Sequence, residues 1–127
     1  MKQLFKPFAL ATLMGIVAVM AVWATASALG VDFTVSTLGM PIPAPAFVIF
    51  SIFGGLGALV VSAALLKTKT PKKTGQIIGW LVLVASIATP LSGTSDLMAI
   101  IWIQATHFAI GVPLLMAMAK HLPANNS

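Results

Sequence analysis

Cysteine, tyrosine, arginine and glutamate are missing from this chain, and Asp32 and Asp96 are its only carboxylates. Without cysteine there is no disulfide, no thiolate metal site and no thiol nucleophile, and the redox compartment leaves no mark. There is no G-x-S-x-G turn, no phosphate-binding glycine loop and no carboxylate pair within one helix, so the usual sequence signs of an enzyme are absent. Charge itself is scarce. Charged residues make up 7% of the 127 positions, against about 25% in an ordinary soluble domain. So few charges cannot cover a water-facing surface.

What the chain has is apolar surface and lysine. Hydrophobic residues are 59% of the sequence, and runs of about 20 such residues have the length of a membrane span. Four fit, at about 8–29, 46–66, 76–91 and 97–118. The expected fold is therefore all-α, a single integral-membrane four-helix bundle. The net charge of +5 comes from lysine alone. These lysines fall at span ends, which favours the lipid bilayer and its anionic headgroups as partners over nucleic acid.

Four of the seven lysines, Lys67, Lys69, Lys72 and Lys73, crowd into one inner loop at about 67–75. Each would cost about 2.5–3.5 kcal/mol at the centre of a membrane helix, so this loop lies outside the hydrocarbon. Pro71 forbids a continuous helix through it. With four spans, Lys2, Lys6, the loop lysines and Lys120 share one side, and Asp32 and Asp96 share the other. Cytoplasmic loops collect lysine, so both termini are expected in the cytoplasm and the protein in the inner membrane as a multi-pass chain. An odd number of spans would split the lysines. Ala24-Thr25-Ala26-Ser27-Ala28 also offers the small-residue cleavage sites of a secretory signal. Its apolar stretch is long for a signal, and the first run is read as a retained span.

Two outer connections follow from this topology, at 30–45 and 92–96. Val31 to Ser36 alternates apolar and polar residues, as an extended segment would. With no sheet to join, it is expected to lie along the membrane surface. Pro41, Pro43 and Pro45 stiffen the chain beyond it. Small residues supply candidate helix contacts. Gly54, Ala58 and Ser62 fall four apart in the second span, and Gly75 and Gly79 form a GxxxG at the start of the third. In lipid such stripes let helix backbones approach closely. The tail, residues 123–127, is expected to be disordered.

His107 is the first candidate for chemistry. It sits near the middle of the fourth span, where an ionisable side chain is a functional hypothesis by default. Gln104 shares its helix face, and Asp96 lies about 20° away on the helical wheel and about 16 Å along the axis. The three could form a polar track for a ligand or proton. The structural alternative is a neutral histidine hydrogen-bonded to Ser51, Ser62, Thr12 or Ser86 on a neighbouring helix, holding helices together. Haem or metal at His107 is the lesser expectation, because metal sites generally need three or four ligands and no other histidine lies at membrane depth. Met116, Met118 and His121 look like packing residues before they look like a copper site. No metal and no cofactor is expected. Asp96 follows Thr94 and Ser95 and reads first as a cap of the fourth helix; Asp32 reads as a turn former or an outer-loop ligand. Trp23, Trp80 and Trp102 are expected as interfacial anchors. Pro113 should kink the fourth helix.

Ala28 to Val35, the glycine-rich second span, the basic loop, Thr89-Pro90-Leu91, and His107 with Pro113 before Leu122-Pro123 together resemble one family. It is the domain-of-unknown-function family six-zero-six-nine, small bacterial four-span membrane proteins. The lysine-only inner loop departs from the arginine-rich loops expected there. The resemblance implies a retained first span and lends weight to Asp32 and His107, and it implies no reaction. Three functions stay open. One is a non-enzymatic protein that packs with a membrane partner or a second copy, or binds lipid or a small apolar ligand. Another is a small transporter or proton-handling subunit using His107, Gln104 and Asp96. A third is a redox anchor for haem or quinone.

Overall fold

A computed structural model describes residues 2–31, 34–35, 40–41, 44–86 and 97–125. Four helices make up nearly all of it: α1 (Lys2–Ala28), α2 (Ala44–Leu65), α3 (Pro71–Ala85) and α4 (Leu97–His121). The fold is all-α. One small correction concerns the connection between α1 and α2. The extended segment there has a partner after all: β1 (Thr34–Val35) pairs antiparallel with β2 (Met40–Pro41), Thr34 opposite Pro41 and Val35 opposite Met40. The connection doubles back and supplies its own strand. Proline fits at such an edge, where no ladder N–H is required.

The helices run alternately up and down. One hydrophobic cluster gathers Leu4 and Phe8 from the start of α1, Leu59 and Leu65 from the end of α2, and Leu114, Leu115 and Met118 from the end of α4. A second gathers Val19 and Ala26 of α1, Phe47 of α2 and Ile103 of α4 at the opposite end. α1 is thus antiparallel to both α2 and α4. α3 runs against α4: the Gln76 side chain meets the Leu115 carbonyl and Leu83 lies over Gly111. α1 packs mainly on α4 and α2, and α3 packs mainly on α4.

Helix ends explain where the runs stop. Gly30 takes φ +80°, a left-handed conformation that glycine adopts without a Cβ penalty. The Gly30 N–H donates to the Ser27 carbonyl and the Val31 N–H to the Ala26 carbonyl, at 3.1 and 3.0 Å. That is a Schellman ending, and Val31 closes it by packing on the cluster that contains Ala26. At the other end, α1 begins at Lys2 and carries Pro7 inside it, several residues before the apolar run. α3 begins at Pro71, which occupies its first turn, where a missing N–H is harmless. Lys72 and Lys73 are therefore helical, and the loop proper is shorter than 67–75. The Lys72 N–H donates to the Pro123 carbonyl at 3.0 Å, and Leu122 is buried. The start of the tail is thus held against α3, contrary to the expectation of disorder from residue 123; residues 126 and 127 lie outside the described residues.

Among the described residues three helices are long and apolar enough to cross a membrane: Gln3–Ala28, Pro45–Leu65 and Ile100–His121. The 15 described residues of α3 reach about 22 Å, short of a hydrocarbon core of about 30 Å; residues 87–96, which follow, lie outside the described residues. The bundle wears its apolar side chains outward. Val17 is 70% exposed, and Phe50 and Phe53 are 66% and 65% exposed. A water-soluble surface rarely tolerates contiguous patches of this kind.

Candidate functional site

α4 carries His107 toward the interior. At 100° per residue, its direction lies within about 40° of Ile103, Gly111, Leu114 and Met118, and Ile103, Leu114 and Met118 are buried. The ring is half-buried. Its Nδ1 is buried and has no hydrogen-bond partner among the described residues. Three of the four hydroxyls offered as partners are engaged elsewhere. Thr12 donates to the Phe8 carbonyl at 2.7 Å, Ser51 to the Phe47 carbonyl at 2.8 Å, and Ser86 to the Leu83 carbonyl. Such back-bonding within one helix satisfies the hydroxyl without linking helices. Ser62 is fully buried with its Oγ unpaired among the described residues, but it lies near the opposite end of the bundle from Ile103. Gln104 is half-buried, three residues before His107. Asp96 and Asp32 both lie outside the described residues, so the suggested track from Asp96 ends at Gln104.

The packing residues are partly displaced from the sequence reading. Gly54 is exposed, and a Cβ there would come no nearer than 4.0 Å to Ile110. Its neighbour Gly55 is buried, and a Cβ there would fall on the Thr12 side chain. Ala58 packs on the cluster that contains Leu59 and Leu65, and Ser62 is buried. In α3, Gly75 lies under Leu122, Met118 and Leu65, and a Cβ on Gly79 would collide with Leu115. Gly15 and Gly111, which the spacing did not single out, are close contacts as well, beneath Ile110 and Leu83.

Gln76 also escaped the sequence reading. Its Nε2 donates to the Leu115 carbonyl at 3.1 Å, a hydrogen bond from α3 to α4. A polar residue one turn beyond a basic cluster gives no sign that it will reach another helix. Gln76→Leu keeps the volume and removes the donor, so it should lower stability by about 0.5–1.5 kcal/mol in detergent unfolding. An unchanged midpoint would mean that solvent replaces the bond fully.

The two ends of the chain meet at a groove of about 770 Å³ between α1 and α4. Lys6 and Pro7 line it from α1, and Pro113, Lys120 and His121 from α4, with Leu10, Met14 and Met116 along the walls. Alanines 11, 117 and 119 leave the space. The antiparallel pairing of α1 and α4 puts Lys6 level with Lys120. Met116 and His121 thus share the groove, whereas Met118 is buried beneath the other side of α4; the three do not converge. Lys67, Lys69 and Lys73 are exposed and Lys72 is half-buried. Trp23 and Trp102 pack on the cluster that contains Val19 and Phe47, while Trp80 is 47% exposed.

Comparison with curated proteins and with solved structures gives no match. A family model does match, over residues 1–124, the span that holds the Schellman ending after α1, the basic turn before α3 and the His107 helix. The chain therefore belongs to the family of unknown function DUF6069.

Proposed function

We propose that this is a multi-pass protein of the cytoplasmic membrane, with both termini inside, that works without catalysis by binding lipid or a small apolar ligand within its helix bundle. The observation that carries this reading is the outward display of large apolar side chains on helices long enough to span, joined to the one-sided lysines. Up-and-down packing returns α4 to the level where α1 begins, which agrees with an even number of crossings. α3, which lies between α2 and α4 in the chain, is the candidate for the remaining crossing.

The absence of cysteine makes the test direct. Single cysteines at Gln3, Thr68, Leu29 and Asn125 should label with an impermeant maleimide from opposite sides. In intact cells Leu29→Cys reacts, while the other three react only after the membrane is opened. Labelling of Gln3→Cys or Asn125→Cys from outside would overturn the topology.

A second reading rests on the His107 Nδ1, which has no partner among the described residues. A buried imidazole nitrogen without a partner is a ready acceptor or donor for a ligand or a proton. Gln104 lies on the adjoining turn. In proteoliposomes, a flux abolished by His107→Ala with unchanged thermal stability would favour this second reading over simple ligand binding.

A further inference from the structure

We propose that the groove between α1 and α4 binds one anionic phospholipid of the inner leaflet, its phosphate held between Lys6 and Lys120 and one acyl chain laid toward Met14. This deepens the lipid-binding reading above and rests on the same insertion of the bundle in a membrane. The groove is amphipathic along its length. Its cationic end carries Lys6 and Lys120, with His121 beside them, all exposed, and no acidic residue among the described residues lines it. Its other end is walled by Leu10, Met14 and Met116. Met14 and Met116 are 66% and 65% exposed, so apolar surface lies open beside the lysines.

Length agrees with the same occupant. From Lys6 to Met14 the helix rises about 12 Å, most of one leaflet of a hydrocarbon core about 30 Å thick. A phosphate alone would leave that wall uncovered. A zwitterionic lipid offers the same phosphate but carries its own cation beside it, which offsets part of the attraction to the lysines. A second copy of this chain would bring a like set of lysines to the same depth, and like charges close together repel. Methionine suits the wall, because its unbranched, flexible side chain adapts to a mobile acyl chain.

Lysine near an anionic membrane surface contributes about 1 kcal/mol, about a fivefold gain in affinity for each. The pair therefore predicts a preference on the order of 25-fold for phosphatidylglycerol over phosphatidylcholine. Native mass spectrometry of the full-length protein in detergent, titrated with each lipid, measures it. Lys6→Gln with Lys120→Gln should erase the preference. Thr25→Asp with Ser27→Asp, exposed at the far end of α1, changes net charge equally and should preserve it. Leu10→Trp, which fills the groove, should weaken both lipids. Excess inorganic phosphate should not displace the lipid.

Equal binding of the two lipids would overturn the proposal, as would an equal loss in the Thr25/Ser27 control, or displacement by inorganic phosphate. So would a dimer whose dissociation follows the Lys6/Lys120 substitutions. The maleimide experiment is independent: sidedness upheld with no lipid preference rejects the groove alone, and reversed sidedness rejects the membrane topology itself.

Discussion

Leucine at Gly15 should destabilise the bundle by about 1–3 kcal/mol, or prevent its assembly, through overpacking. α1 and α4 form the most extensive helix pair among the described residues, and Gly15 is a point of close approach between them. A Cβ added there would fall on the Ile110 side chain and stand 3.2 Å from the Ile110 Cα. The side chain can rotate away, but the backbone behind it cannot move without shifting α4. Interiors packed at crystal-like density have no slack to absorb that shift. In lipid the consequence is sharper than in water, because helices there associate by close packing and not by hydrophobic burial.

Gly57 supplies the control. It is exposed, and nothing lies within 4 Å of a Cβ built on it. Gly57→Leu should be neutral or slightly stabilising, since leucine is the better helix former by somewhat under about 1 kcal/mol. Unfolding in detergent, followed by loss of helical signal, should separate the two variants clearly. Gly15→Ala with Ile110→Ala should recover part of the loss, with a coupling of about 0.5–3 kcal/mol between the sites. Equal midpoints for Gly15→Leu and Gly57→Leu would mean that α1 and α4 do not approach at that point.

The stripe in α2 shows how far sequence alone reaches. Gly54, Ala58 and Ser62 and the alternative series Gly55, Leu59 and Ser62 are both present. α2 is apolar all round, so no polar face sets its rotation, and spacing cannot choose between them. Structure chooses Gly55, against Thr12. The number and approximate places of the helices were legible because lysine placement and run length act locally. The start of α3 at Pro71 is not legible from the sequence, because proline breaks one helix and opens another alike. The groove was not legible, since Lys6 and Lys120 lie at opposite ends of the sequence and meet only through the antiparallel pairing of α1 and α4. Gln76 was missed for the same reason: its acceptor is a carbonyl 39 residues away.

Replacing His107 with leucine should raise stability by about 1–3 kcal/mol, the penalty of a buried polar group left unsatisfied. Leucine is of similar size and matches the surrounding Ile103 and Leu114, so a cavity is not expected to offset the gain. The structural role for His107 predicts the reverse. If its ring links two helices, His107→Leu lowers the unfolding midpoint, and His107→Gln, whose amide reaches about as far as Nε2, restores part of it. Nδ1 makes no such link among the described residues. A stabilised His107→Leu therefore removes the packing explanation and leaves a group held at depth against its own solvation preference. Membrane interiors keep such groups where a ligand or a proton uses them, so a more stable variant that has lost binding or flux would place the function at this imidazole.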